Sequence, residues 1–204
     1  MRPALTICRL APLVLVALAA SCQQLPEPKG MDVRVMEIGR LEQANPNDIV
    51  VAPLQFGTEE PLTVPEFELR EAFVQALIRR RYAPLALEYV DMSLQGGEEG
   101  TVEASYRTGL LDEDAVCQIV VHNYDDSLWD DRKALTVDLE VRMVDPTDPL
   151  GPALWAGRLE RRFDFADDSI DYASSTVQYK TSLDHIAQEL LAAMPARRTE
   201  PGFE

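Results

Sequence analysis

The clearest pattern in the chain is alternation. Leu135, Val137, Leu139, Val141 and Met143 are apolar, and Thr136, Asp138, Glu140 and Arg142 between them are polar. A period of two predicts a strand with one buried and one wet face. After a Pro/Gly-rich turn at residues 145–152, Trp155, Leu159, Phe163 and Phe165 alternate with Arg158, Glu160, Arg162 and Asp164. The two runs predict an antiparallel hairpin. Across it, Asp138 or Glu140 is expected to face Arg158 or Arg162. Residues 49–54 and 115–124 are mostly apolar runs of the fully buried strand type. Residues 82–90 alternate more weakly and are expected as a further strand, whose early pairing Pro84 would limit. Val33 and Val35 alternate with polar neighbours and suggest a short strand near residues 32–38.

Two segments have a helical period instead. Leu69, Ala72, Phe73, Ala76 and Leu77 share one face of a helix. Thr63 is its expected cap, with Glu66 closing a capping box and Pro65 in the first turn. Arg79, Arg80 and Arg81 are expected to end it as charges opposing the helix dipole; an anion or lipid-headgroup patch is the alternative for this triplet. Tyr179, Leu183, Ile186, Leu190 and Ala193 predict a second helix over residues 174–194, stopped by Pro195. Residues 102–111 are expected as a short helix. The order β-α-β-(α)-β-β-β-α predicts an α+β (α/β) fold: a single mixed sheet with a βαβ start and an antiparallel meander, two main helices on one face and a wetter opposite face.

The N-terminus follows none of these patterns. Arg2 and Arg9 precede an apolar run at residues 10–20, and the first acid is Glu27. Small residues Ala19, Ala20 and Ser21 follow, as in a secretory signal. The run is shorter than the ~20 residues a membrane span needs. Leu18-Ala19-Ala20-Ser21-Cys22 adds a cysteine at the exit. One reading is cleavage before Cys22; the other is cleavage after Ala19 at an A-x-A site. Residues 1–21 are therefore assigned to a signal peptide, 22–47 to Cys22 and a Pro-punctuated linker, 48–195 to the α/β domain and 196–204 to a polar tail.

Composition narrows the partners. The chain of 204 residues has 19 Lys+Arg against 35 Asp+Glu, a formal net charge of −16. Loss of the signal removes Arg2 and Arg9 and no acid, so the mature chain is more acidic still. Such a surface excludes nucleic acid, whose phosphates need cationic partners, and disfavours electrostatic docking on anionic lipid. Attachment to a membrane would have to come from lipid on Cys22.

Candidate chemistry is sparse. There is no P-loop, G-x-G-x-x-G, H-E-x-x-H or G-x-S-x-G. Cys117 lies within an apolar run and reads as a small buried hydrophobe. His122 continues a strand and His185 sits on the last helix. Asp125, Asp126, Asp130 and Asp131 surround Trp129 without the spacing of an EF-hand, and read as a solvated loop. No catalytic residue, metal or cofactor is expected. Trp129 is the candidate partner contact; a ring tucked under its own loop is the alternative.

Several of these landmarks resemble a group of exported bacterial lipoproteins. The residues before Cys22 resemble their lipobox, though Leu18 stands one position early. Ile49-Val50-Val51-Ala52-Pro53-Leu54, then Arg80-Arg81-Tyr82-Ala83-Pro84-Leu85, Asp114-Ala115-Val116, Val141-Arg142-Met143-Val144-Asp145 and Ala153-Leu154-Trp155-Ala156-Gly157 appear in the group's order. The group includes putative envelope lipoproteins, the curli-secretion lipoprotein, the lipoprotein activator of penicillin-binding proteins, and the N-terminal domain of the Tol-system propeller protein. The turn after Asp145 is longer than the tight turn of that group. The resemblance implies acylation of Cys22, location on the periplasmic face of a bacterial membrane, forwarding to the outer one through the non-Asp residue Gln23, and a partner-binding scaffold without catalysis. A homo-oligomeric secretion scaffold and a small-ligand or envelope-substrate binder or enzyme are the alternatives.

Overall fold

The computed structural model describes residues 33–95, 108–166 and 174–199. The signal, Cys22, residues 96–100 and most of the expected 102–111 helix lie outside the described residues. Seven strands form one mixed sheet: β1 (Val33–Ile38), β2 (Asp48–Val51), β3 (Gln55–Phe56), β4 (Ala83–Pro84), β5 (Ala115–Asp125), β6 (Ala134–Val144) and β7 (Trp155–Asp164). Their order is β1-β7-β6-β5-β2-β4, and β3 pairs with β5 beyond the end of β2. Strands β5, β6, β7 and β1 are successively antiparallel, whereas β2 runs parallel to both β5 and β4. The expected mixed sheet with an antiparallel meander is the observed one.

Alternation decides the faces. Leu135, Val137, Leu139, Val141 and Met143 of β6 are buried together with Trp155, Leu159 and Phe163 of β7 and Cys117, Ile119 and Val121 of β5. Helices α2 (Glu66–Arg79) and α5 (Ser175–Leu191) cover that face. Leu69, Phe73 and Leu77 on α2 and Leu183, Ile186 and Leu190 on α5 are fully buried. Each such side chain contributes about 1.5–3 kcal/mol through removal from water. The opposite face carries Thr136, Glu140, Arg142 and Arg158 half-buried, and is the wetter one.

Three local expectations change. Residues 82–90 are not one strand: pairing stops at Pro84, and helix α3 (Leu87–Gln95) follows. A proline cannot donate to a ladder, and Leu87 and Val90, three apart, fit one helix face. Val90 packs with Val50, Ala52, Val116 and Val144, so a third helix covers one end of the wetter face. Helix α2 begins at Glu66, not at Thr63, with Pro65 at the cap and no side-chain cap bond; the Glu66 carboxylate accepts instead from the Leu54 backbone N–H at 3.2 Å.

The domain also starts earlier than residue 48. Strand β1 pairs along β7, and α1 (Leu41–Ala44) buries Leu41. The polar tail is pinned as far as the description reaches. Arg198 donates its backbone N–H to Asn45 Oδ1, Asn45 Nδ2 donates to the Arg198 carbonyl, and Arg198 pairs with Glu42 at 2.6 Å. Among the described residues no helix is long and apolar enough to cross a membrane.

Candidate functional site

Of the two residues singled out from sequence, Cys22 lies outside the described residues, and Trp129 opens the short helix α4 (Trp129–Arg132). The residue is buried, 7% exposed. It meets Tyr179 edge-on at 4.9 Å and Phe165 at 6.3 Å between centroids, with the Lys133 ammonium 5.2 Å above it. Contacts of this kind add ~0.5–1.5 kcal/mol beyond area burial. The ring therefore holds the β5–β6 connection onto α5, and Asp130 and Asp131 form the outer surface of that loop.

The remaining acids of the loop are engaged locally. Asp125 accepts the Ser127 N–H at 2.9 Å, and hydrogen bonding from the Ser127 side chain, then from its backbone, holds the carboxyl below the usual range. Asp126 accepts from the Tyr179 hydroxyl at 3.0 Å, and Tyr179 and Tyr124 share a hydrogen bond of 2.5 Å. Burial is the main cause pushing the Tyr179 hydroxyl up to about 12, and it raises that of Tyr124 as well.

The wetter face of the sheet is built from charges placed by alternation. Asp138 and Arg158 sit diagonally across β6 and β7; Arg158 donates through Nε at 2.7 Å and Nη2 at 2.6 Å to the two carboxylate oxygens. His122 on β5 lies 3.2 Å from Glu140 on β6. Gly57 closes over that histidine: a Cβ there would stand 2.2 Å from His122 Nδ1. Cys117 points to the other face, fully buried, and burial pushes its thiol up to about 12. A thiol so placed has almost no nucleophilic thiolate near neutral pH.

Sequence reasoning missed an ion pair between two helices. Arg70 of α2, 3% exposed, pairs with Asp91 of α3 at 2.8 Å and donates to the Val51 carbonyl at 3.0 Å. It thereby satisfies the sheet edge beyond the two residues of β4. Pro53, Glu66, Phe67, Arg70 and Asp91 line a shallow cleft of about 340 Å³ there. The signal was hidden because Asp91 stood just past an expected strand. The Arg79–Arg81 triplet splits by role. Arg79 and Arg81 are exposed, whereas Arg80 donates to the carbonyls of Ala192 and Met194 at the end of α5.

The second feature that sequence alone left open is the β1 edge. Among the described residues β1 pairs only with β7, and no described strand covers its other side. Val35, Met36 and Ile38 are 36%, 48% and 85% exposed on it. An unpaired strand edge is a template for another strand.

No protein-family model matches the chain, and no curated protein matches it. Among solved structures, the chain is similar to the PelC dodecamer from Paraburkholderia phytofirmans, at 11% identity and a TM-score of 0.46, covering 81% of this chain and 98% of that one. It is also similar to lipoprotein GNA1162 from Neisseria meningitidis, at 20% identity and a TM-score of 0.46, covering 70% and 97%. A third is the hypothetical protein CT253 from Chlamydia trachomatis, at 13% identity and a TM-score of 0.43, covering 72% and 94%.

Proposed function

We propose that the protein is an exported lipoprotein whose acidic α+β domain is a non-catalytic protein-interaction module of the bacterial envelope. The observation that carries this reading is the N-terminal order: Arg2 and Arg9, the apolar run at 10–20, small residues, then Cys22. Cleavage before Cys22 and its acylation would leave the domain tethered through residues 23–32. Several acyl chains on one cysteine anchor a protein stably where one chain does not. The tether is punctuated by Pro26, Pro28 and Gly30 and lets a domain stand off the bilayer. Its acidic surface then faces water and a protein partner instead of lipid.

Support for a binding role comes from how the reactive side chains are used. His122 pairs with Glu140, Arg158 with Asp138 and Arg70 with Asp91, while Cys117 is sealed in the core. These groups hold elements together, and among the described residues the β1 edge is left without a strand beside it.

The reading is tested by metabolic labelling with an alkyne fatty acid. The chain should take up label in a bacterium that processes lipoproteins, and the Cys22→Ala variant should not. Equal labelling of the two, or none in either, would overturn the anchor. Membrane cross-linking of the anchored chain should then capture a protein stoichiometrically, and recovery of monomer alone would count against the interaction role.

A further inference from the structure

We propose that β1 is a self-recognition edge, and that two copies of the chain pair through it, antiparallel, into one continuous sheet. The inference deepens the reading above by naming the protein partner as a second copy.

Strand β1 carries a β-bulge. In a regular strand, residues three apart point to opposite faces. In β1, Arg34 is opposite Arg158 on β7 and Glu37 is opposite Ala156, because the register shifts between Val35 and Glu37. Residues 156 and 158 share a face, so the extra residue, Met36, returns Glu37 to the face of Arg34. The same shift puts Ile38, opposite Trp155, on the face of Val33, opposite Leu159. The edge thus reads apolar and charged in a palindrome: Val33 and Ile38 outside on the helix-covered face, Arg34 and Glu37 on the wetter face, Val35 and Met36 at the centre.

A two-fold axis normal to the sheet between Val35 and Met36 brings each residue opposite its complement. Arg34 faces Glu37 of the other copy twice, Val33 faces Ile38 twice, and Val35 faces Met36. A register one residue either way sets Glu37 opposite Val33 or Val35. Directly opposed complementary pairs are the unit that stabilises a sheet.

Two features of the isolated chain fit this use. The cross-strand neighbour of Arg34 is a second arginine, Arg158, which is already held by both oxygens of Asp138. Like charges placed opposite are unfavourable, and no described carboxylate pairs with Arg34. Glu37 accepts the Ala153 N–H through Oε2, at 3.1 Å, and has Oε1 to offer. Association also closes at two copies. The opposite sheet edge, β4, has two residues and contains Pro84, so it offers no ladder to a third. Six residues per strand make a small interface, and confinement by a common membrane anchor would raise its occupancy through effective concentration.

The test uses two tagged versions of the full chain expressed together, one carrying Arg34→Cys and the other Glu37→Cys. Mild oxidation of intact membranes should link the two tags in a disulfide, well above the yield from Arg34→Cys alone or the unsubstituted chain. Charge exchange gives a second readout in a non-reducing cross-linking assay. Arg34→Glu alone and Glu37→Arg alone should each lower the dimer about five-fold, through two like-charged pairs, and mixing the two variants should restore it. Arg34 is exposed and Glu37 half-buried, and the restoration controls for folding. No mixed disulfide, or equal yields in every combination, would overturn the proposal. Fatty-acid labelling of the same cells reports on the anchor separately, so an unlabelled chain that still links refutes the anchor and not the edge.

Discussion

Arg80, the residue that ends its own helix α2, also caps a different helix: its Nε donates to the carbonyl of Met194 at 2.8 Å, and a guanidinium nitrogen donates to Ala192 at 2.5 Å. Carbonyls at a helix end lack intrahelical partners, and a cation there also meets the negative end of the dipole. Burial lowers the Arg80 pKa. Arg80→Ala should therefore cost about 1.5–3 kcal/mol in chemical denaturation, whereas Arg79→Ala, on an exposed side chain, should cost under about 0.5 kcal/mol. Equal costs would refute the division of roles.

Gly39 lies where β1 leaves the sheet. A Cβ there would stand 2.2 Å from the Ala153 carbonyl oxygen and 2.7 Å from that of Leu154. Both contacts are backbone, so neither can rotate away. Gly39→Ala should lower stability by about 1–3 kcal/mol and speed hydrogen exchange in β1. A neutral result would mean that this strand is not held against β7 as described.

The Asp138–Arg158 pair is bidentate but partly open to solvent, with 13% and 34% of the side chains exposed. A double-mutant cycle with Asp138→Ala and Arg158→Ala should give a coupling near 1 kcal/mol, the upper end for surface pairs. Zero coupling would make the wetter face a solvated surface without internal order.

Asp184 on α5 has its carboxyl held above the ordinary carboxylate range, first by burial, with Arg79 and Lys180 opposing. Folding thus favours its protonated form. The contribution of this group to stability is fully present below the unfolded pKa, about 3.9, and is lost as pH rises through the folded value. Asp184→Asn should leave Tm unchanged in acid and raise it relative to the parent toward neutrality. A Tm difference independent of pH would contradict the burial argument.

Cys117 should resist alkylation in the folded protein, since it is fully buried and its thiol is pushed up to about 12. Modification should become rapid only across the unfolding transition, with the same denaturant midpoint as far-UV circular dichroism. Rapid modification under native conditions would show that the central strand opens locally.

The sequence made some of this plain and hid the rest for identifiable reasons. The β6–β7 hairpin was legible because Leu135 to Met143 alternate without a break and one face is buried. Helices α2 and α5 were legible from apolar spacing, and Asp138 and Arg158 from their places on the hairpin. Helix α3 was masked because Leu85, Leu87 and Tyr89 fit a period of two, while Leu87 and Val90 carry the helical spacing, and only Pro84 hinted at the break. The attachment of β1 depends on Gly39 fitting under Ala153 and Leu154, more than a hundred residues away, and no local pattern reports that. The inward turn of Trp129 depends on Tyr179 and Phe165, which lie on other elements. The bulge at Met36 is likewise set by pairing with β7, so the matching faces of Arg34 and Glu37 could not be read from spacing, which would have placed them apart.

The central claim is that this acidic domain reaches its place through lipid on Cys22. The most direct measurement is mass spectrometry of the N-terminal peptide of the protein extracted from membranes. The account predicts a peptide that begins at Cys22 and carries diacylglycerol on its sulfur. A peptide beginning at Ala20, with an unmodified Cys22 thiol, would contradict it.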